Sequence, residues 1–271
     1  MDSNLYPSYA QNCNIHYGEQ PFFKKIINSH QQYVLSSQAV SEFYQLEISD
    51  QQQPIFVIPD GCIDILFECD HIHPTARICG STLDMQHVPL RPNISYFGVR
   101  FSPSIIPNFI QASAEDIFNN SINFTDVVQY GHDFISQITN ITDIQQQIHL
   151  FLSTFSHQLK RNFSVMTEYV IQAILQGNTE LKIKSLEEKT GYCSRHIQRV
   201  FKQDVGISIK AFSCIMRFQS AIHALTGENE TKLSDLTYDL GYNDQAHFHK
   251  EFKKFSNMSP SGFIKHLHNY C

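Results

Sequence analysis

The feature that most constrains this chain is an internal repeat of about 50 residues near its end. The first copy consists of Leu186, Gly191, Tyr192, Ile197, Arg199, Phe201, Lys202, Gly206, Ser208 and Phe212. The second copy consists of Leu236, Gly241, Tyr242, Phe248, Lys250, Phe252, Lys253, Asn257, Ser259 and Phe263. The copies lie 50 positions apart up to the tyrosine and 51 after it, so the second turn has one extra residue. So many matches in one frame predict a single supersecondary unit that is used twice.

Each copy is predicted to form two helices joined by a sharp turn. Gly191 and Gly241 supply the left-handed backbone that ends the first helix. Gly206 ends the second helix of the first copy in the same way, and Asn257 replaces it with the next most tolerant residue. The apolar positions of each copy are expected to hold its helices at a steep angle: Leu186, Ile197 and Phe201, then Leu236, Phe248 and Phe252.

The outward face of each second helix is polar and basic, which is typical of a helix that reads DNA. In the first copy this face carries Ser194, Arg195, His196, Gln198, Arg199 and Lys202. In the second copy it carries Asn243, Asp244, Gln245, His247, Lys250 and Lys253. Such side chains suit guanine, adenine and phosphate groups. A long helix with the apolar stripe Phe212, Ile215, Phe218, Ile222 and Leu225 is predicted to hold the two faces about one DNA turn, roughly 34 Å, apart.

These motifs resemble the AraC/XylS family of bacterial transcription regulators. The segments GYCSRHIQRVFK, GISIKAF and RF-x-x-A, followed by LGYNDQAHFHKEFKKFSNMSP, match the family's two motifs in order and spacing, over about Met166 to Leu267. The resemblance implies a sequence-specific regulator, usually an activator, that binds double-stranded DNA at two adjacent major-groove segments and works with RNA polymerase. It also implies which side chains read bases: Arg195, Gln198 and Arg199 in the first unit, and Gln245, His247 and Lys250 in the second.

The chain departs from the family pattern at three positions. The family usually has alanine where this chain has Glu187 and Thr237, and serine or threonine where it has Cys193. Cysteine is a poor helix cap, so Ser194 is expected to cap instead or the helix start to be weak. The first unit is therefore expected to be crowded at Glu187, and the two units to contribute unequally.

Residues 1–105 are predicted to be β-rich, with short apolar runs between proline, glycine and aspartate turns. Helical periodicity follows from about Ser104, and is clearest over Ile144, Ile148, Phe151 and Phe155. The fold class is therefore α+β, with a small β-rich sandwich or barrel and helices before an all-α part. We place the domains at 1–160 and 165–271, with the linker in 156–164.

The front half resembles an uncharacterised cupin-like domain that precedes some AraC-type DNA-binding domains. The strings that carry this resemblance are VIPDGCIDILFE, ICGSTLD and YFGVRFSP. In the wider family such a domain binds a small effector, forms a homodimer, or does both. Asp64, Arg77 and Arg100 are candidate effector-binding residues, because an arginine turned into a barrel suits an anionic ligand, whereas an outward arginine is ordinary surface.

Charge and cysteine content agree with a cytoplasmic DNA-binding protein. The net charge is −6, but residues 1–162 carry −8 and residues 163–271 carry +2. The start has no targeting pattern and no apolar run could span a bilayer. Reduced thiols are expected, because the cysteines are scattered without a CxxC pair: Cys13, Cys62, Cys69, Cys79, Cys193, Cys214 and Cys271.

A metal- or thiol-responsive sensor is the alternative function for the front half. Six potential ligands fall within 26 residues: Cys62, Cys69, His71, His73, Cys79 and His87. Their spacing matches no zinc motif, so we expect small buried cysteines, histidines on a turn, and no bound metal or cofactor. No nucleophile–base set, phosphate loop or pair of catalytic carboxylates is evident, and the chain is predicted not to be an enzyme.

Overall fold

The computed structural model describes residues 18–26, 31–34, 39–48, 54–177, 183–227 and 233–270. The first part of the chain contains eight described strands: β1 Gln31–Val34, β2 Val40–Glu47, β3 Ile55–Val57, β4 Asp64–Glu68, β5 Thr75–Cys79, β6 Gln86–Val88, β7 Ser95–Phe101 and β8 Ser121–Asn123. Its helices are α1 Pro21–Ile26, α2 Ala114–Ile117, α3 Phe124–Val127, α4 Gly131–Thr139 and α5 Ile144–Phe155. Cys13, Asn178 and Cys271 lie outside the described residues.

Six strands form one antiparallel sheet in the order β1-β2-β7-β4-β5-β8, and β3 pairs with β6 in a second, smaller sheet. Side chains alternate between the two faces of the large sheet, as the pleat requires. One face carries Ile65, Phe67, Phe97 and Val99, all fully buried. These pack with Phe151 and other apolar side chains of α3, α4 and α5 in one core. The opposite face is mixed in character and lines a cavity described below.

The rest of the chain is helical. Its elements are α6 Val165–Leu175, α7 Ile183–Thr190, α8 Ser194–Val205, α9 Ile209–Thr226, α10 Leu233–Asp239, α11 Gln245–Ser256 and α12 Pro260–His268. The two predicted helix-turn-helix units are therefore α7–α8 and α10–α11. Left-handed backbone occurs at Gly191, Gly206, Gly241 and Asn257, as the repeat predicted.

Helix α9 connects the two units and is buried on several sides. Of the predicted apolar stripe, four residues are at most 1% exposed and Leu225 is half-buried; the four are Phe212, Ile215, Phe218 and Ile222. Arg217 and Gln219, from the same helix, are buried as well. A surface helix has one apolar stripe. Arg217 is buried against the second unit, but the burial of Gln219 shows that α9 also has neighbours beyond the two units.

One of those neighbours is the β-rich domain. Gln219 is fully buried and donates from Nε2 to the carbonyl of Pro59 over 2.7 Å, while its Oε1 accepts from the backbone N–H of Glu19 over 2.8 Å. Near the C-terminus of the chain, the ring of Phe22 lies 5.0 Å from the rings of both Phe263 and Tyr270. One apolar core is thus continuous between the two halves of the molecule.

A second contact joins α2 to the end of α8. Gly206 follows α8 with φ +91°, and a Cβ atom there would lie 2.4 Å from the carbonyl oxygen of Ala114. Beside it, Lys202 Nζ lies 3.2 Å from Glu115 Oε1. The backbone of the β-rich domain therefore touches the end of α8 directly.

The α+β class with an all-α second part is confirmed. The predicted β-rich stretch of residues 1–105 contains β1 to β7, and β8 lies beyond it. The helical stretch from Ser104 contains α2, α3 and α4, but β8 interrupts it. The described cysteines are free: Cys62, Cys69, Cys79, Cys193 and Cys214.

Replacing two left-handed glycines separates backbone strain from domain contact. Gly191→Ala introduces a side chain at φ +72° into open space, so we expect only the strain of about 1–2 kcal/mol. Gly206→Ala adds a clash with Ala114, and should reduce the free energy of unfolding by about 1–3 kcal/mol more. Urea unfolding of both variants measures the difference. Equal losses would contradict the close approach of α2 to α8.

Candidate DNA interface and ligand cavity

Helix α8 presents a polar and cationic face to solvent. Arg195, Gln198, Arg199 and Lys202 are exposed along it. Its inner face buries Ile197, Phe201 and Val205. The outer face offers three cations and an amide, which are groups that bind phosphates and base edges.

Two other predicted contacts of α8 are engaged within the protein. His196 is half-buried, its ring stacks on Tyr192 with centroids 4.8 Å apart, and its Nδ1 lies 3.4 Å from Arg199 Nη2. Ser194 is half-buried at the helix start. His196 and Ser194 therefore contact other parts of the protein and are not part of the exposed face of α8.

The group that caps the start of α8 is not the one that the sequence analysis predicted. Cys193 occupies the N-cap position with no side-chain cap hydrogen bond, and Ser194 does not replace it. The Oε1 atom of Glu187 instead accepts from the backbone N–H of Ser194 over 2.5 Å. Unsatisfied N–H groups at a helix start need such an acceptor. Glu187 therefore caps α8 from the preceding helix, a role that the sequence analysis did not predict.

Helix α11 presents the corresponding face of the second unit. Gln245, Lys250 and Lys253 are exposed, and so is Asn243 just before the helix. Asp244 is the N-cap, and its Oδ1 accepts from the backbone N–H of His247 over 2.7 Å. The carboxylate of Asp244 is thus engaged in capping the helix, and a negative charge at this point suits the helix dipole.

Arg217 and Glu251 anchor α11 to α9, a pair that the sequence analysis did not identify. Arg217 donates from Nε to Glu251 Oε1 and from Nη2 to Glu251 Oε2, each over 3.0 Å. The guanidinium also lies 4.4 Å from the centroid of the Tyr242 ring. Burial acts to lower the pKa of Arg217, but Glu251 outweighs it and the pKa is raised. This nearly buried ion pair, with its two hydrogen bonds, fixes the rotation of α11 on α9.

The mixed face of the large sheet lines a cavity of about 460 Å³. Because side chains alternate, Asp64 of β4, Arg77 of β5 and Arg100 of β7 all border it. Asp64 is the direct cross-strand partner of both Cys79 and Arg100. The structure therefore brings together the three candidate effector residues.

Arg100 faces inward, but it is not free to bind an anion. It donates from Nε and Nη2 to the two carboxylate oxygens of Asp64, over 3.1 and 2.9 Å. Nη1 donates to Asp60 Oδ2 and to the carbonyl of Gly18, each over 2.9 Å. Burial raises the pKa of Asp64, and Arg100 opposes that effect. Two protein carboxylates therefore already pair with Arg100, which argues against a ligand carboxylate as its partner.

Gly98 makes room for Tyr44, another polar side chain on the sheet face that lines the cavity. A Cβ atom at position 98 would lie 2.0 Å from Cζ of Tyr44, so the Tyr44 ring can lie across β7 only because residue 98 is glycine. The Tyr44 hydroxyl then donates to Asp64 Oδ1 over 3.2 Å.

Arg77, unlike Arg100, is exposed, and it donates from Nε to Ser121 Oγ over 2.8 Å.

The cysteine and histidine residues do not form a metal site in the described part of the chain. No group of three His, Cys, Asp or Glu side chains there could hold an ion. His71 and His73 lie on an exposed turn, where the backbone N–H of His73 donates to Asp70. Burial raises the pKa of the Cys62 and Cys79 thiols, and raises that of Cys69 to about 11, which lowers their reactivity.

Two family models match separate parts of the chain. A helix-turn-helix domain matches residues 186–266, and a domain of unknown function, DUF6597, matches residues 37–123. The helix-turn-helix match covers both repeat units. Within the described residues, no helix is long and apolar enough to cross a membrane.

Curated relatives match about a third of the chain. The probable transcription factor PqrA of Proteus vulgaris is 31% identical over 93 residues, which are 34% of this chain and 75% of PqrA. An uncharacterised HTH-type transcriptional regulator of Haemophilus influenzae is 30% identical over 96 residues, covering 35% of this chain but only 32% of that protein. Both relatives are named as regulators of transcription, which is a non-enzymatic function.

Solved structures with some likeness include a probable AraC family transcriptional regulator from Rhodopseudomonas palustris, at 24% identity and a TM-score of 0.32, over 38% of this chain and 93% of that one. ToxT from Vibrio cholerae has 12% identity and a TM-score of 0.44, over 88% of this chain and 98% of that one.

Breaking the buried ion pair should cost far more than breaking an exposed one. Arg217→Met leaves Glu251 without its partner in a site where both side chains are about one-tenth exposed, so the free energy of unfolding should fall by about 3–5 kcal/mol. Lys160→Met breaks the exposed pair with Glu168 and should cost about 0–1 kcal/mol. Urea unfolding compares the two. Similar small losses in both variants would show that Arg217 does not anchor α11.

Proposed function

Because the chain belongs to the AraC family of transcription regulators, we propose that it binds a specific asymmetric DNA site through α8 and α11. The observation that carries this proposal is the pair of solvent-facing polar helices on one buried scaffold. Arg195, Gln198 and Arg199 are the proposed base readers of the first unit, and Gln245, His247 and Lys250 those of the second. The phosphate contacts are assigned to Lys202 and Lys253.

Charge on the two helices supports this assignment. The exposed cations of α8 are Arg195, Arg199 and Lys202, and those of α11 are Lys250, Lys253 and Lys254. Cations that neutralise phosphates release counterions, so DNA affinity should fall steeply with salt. The net positive charge of residues 163–271 fits this role despite the acidic front half.

We further propose that 1–160 is a regulatory domain and 165–271 the DNA-binding domain. A short chain of hydrogen bonds supports communication between them. Gln20 donates from Nε2 to Asp60 Oδ2 at the cavity floor and to the carbonyl of Ile58, each over 2.7 Å. The neighbouring residue Pro59 accepts from Gln219 of α9. A ligand that shifts this segment would therefore act directly on the helix between the two recognition helices.

The family resemblance supports the remaining parts of the proposal. By that resemblance the protein is an activator, works with RNA polymerase, and responds to a small effector or to homodimer formation through its front domain. The proposed place of action is the cytoplasm, where a bacterial regulator meets its promoter.

Base-reading residues should change specificity as well as affinity. Arg199→Ala or Lys250→Ala should each cost about 1–3 kcal/mol of binding to the preferred site and relax the choice of base at one position. Selection from a randomised duplex library identifies the site, and fluorescence anisotropy then measures each variant. Lys160→Ala, an exposed lysine outside both helices, is the control. Unchanged specificity in the Arg199 variant would remove its assignment as a base reader.

The α2 contact should restrain DNA binding through charge. Glu115 lies 3.2 Å from Lys202, so its carboxylate competes with a phosphate for that ammonium group. We expect Glu115→Gln to raise DNA affinity roughly threefold at low salt, with the gain vanishing as salt screens exposed charges. The matched control is Asp133→Asn, an exposed carboxylate on α4. An equal gain in both variants would indicate a general charge effect instead of local competition.

A further inference from the structure

We propose that the cavity binds a small organic cation, an amine or amidinium group, with the Asp64 carboxylate as its counter-charge. This inference rests on the proposed role of the front domain as an effector-responsive domain, and it names the chemical class of the effector. It reverses the expectation of an anionic ligand that arginines in the strands suggested.

The first argument is that the inward arginine has little capacity left for an anion. A guanidinium has five N–H groups, and four hydrogen bonds already run from Arg100 to Asp64, Asp60 and Gly18. A ligand carboxylate placed beside it would also meet two carboxylates of the protein. The other arginine at the cavity, Arg77, is exposed and bound to Ser121.

The second argument is an excess of negative charge where the large sheet borders the cavity. Asp60 and Asp64 share the single cation Arg100. The Asp60 side chain is 4% exposed, and its oxygens accept from Gln20, the backbone of Cys62 and Arg100. The Asp64 side chain is 17% exposed and borders the cavity, so it is the member that a ligand can reach. Glu68, the third carboxylate of the lining, is held by Arg91 over 2.9 Å.

The third argument is the character of the walls. Aromatic rings of Phe23, Tyr44 and Tyr96 border the same cavity as Asp64. Aromatic faces attract organic cations, and a carboxylate beside them supplies the counter-charge. The volume of about 460 Å³ lies within the range of roughly 300–1,000 Å³ that small-molecule sites occupy. The Tyr44 hydroxyl oxygen, already donating to Asp64, retains lone pairs that can accept from an ammonium group.

Charged thiol reagents test this inference in the full-length protein. Cys79 borders the cavity directly opposite Asp64 in the β4–β5 register, and Cys193 is exposed far along the chain as an internal reference. Aminoethyl methanethiosulfonate is a cation, and sulfonatoethyl methanethiosulfonate is an anion of similar size. Peptide mass mapping measures the rate of modification at each cysteine. Because the raised pKa of the Cys79 thiol slows both reagents alike, the ratio of cation to anion rates reports the local charge.

We expect the ratio at Cys79 to exceed that at Cys193 roughly tenfold, as one unscreened charge nearby implies. Asp64→Asn should abolish the excess, and Arg77→Gln, a surface change of opposite sign, should increase it. A ratio at Cys79 equal to or below that at Cys193 would overturn the proposal. So would a Cys79 that reacts with neither reagent when folded but reacts fully in urea, because the cavity would then admit no ligand. DNA binding of the unmodified protein is measured separately, so failure of the cation assignment and failure of the regulator assignment are distinguishable.

Discussion

The burial of α9 is the constraint on which the rest of the structure depends. An isolated helix-turn-helix scaffold would need only one apolar stripe on this helix, to hold its two units. Here Gln219 is buried as well, and its amide is satisfied only by backbone groups of the β-rich domain. A buried amide without partners is costly, so this helix and the segment around Pro59 must stay in register. The positions of both recognition helices are consequently linked to the domain that carries the cavity.

The two faces of the large sheet have separate roles: one contributes to stability and the other to the cavity. Phe67, Phe97 and Val99 lie on one face and pack with the helices, which gives that side a continuous apolar core. The opposite face can then carry Asp64 and Arg100 without weakening the packing of the first. Buried ions are expensive unless they are paired and hydrogen-bonded. The four hydrogen bonds of Arg100 meet that requirement. The polar face of the sheet can therefore border the cavity.

The sequence allowed the helical half to be predicted closely, because its information is local. Gly191 and Asn257 mark turns by their own conformational freedom, and the apolar spacing around Phe201 and Phe252 defines the inner helix faces. The cavity could not be predicted to the same degree. Whether Arg100 points inward follows from strand register, and its neutralisation by Asp60 depends on a loop that is distant in sequence. The Arg217–Glu251 pair joins residues 34 positions apart, so no local pattern indicated it. The capping role of Glu187 was hidden because an acceptor seven residues before Ser194 belongs to the preceding helix.

The bond from Glu187 to Ser194 also bears on how this protein can be altered. In this chain the acceptor for the start of α8 stands on α7, and the N-cap residue Cys193 contributes none. The recognition helix is therefore not an independent module. Grafting residues 193–205 onto a relative that has alanine at the matching position of α7 would remove the acceptor and leave the helix start unsatisfied. Conversely, Cys193→Ser and Glu187→Ala made together would replace the cap from α7 with a serine at the N-cap position. The two positions are coupled, because Glu187→Ala made alone removes the acceptor, whereas the same change made after Cys193→Ser leaves a serine at the N-cap position.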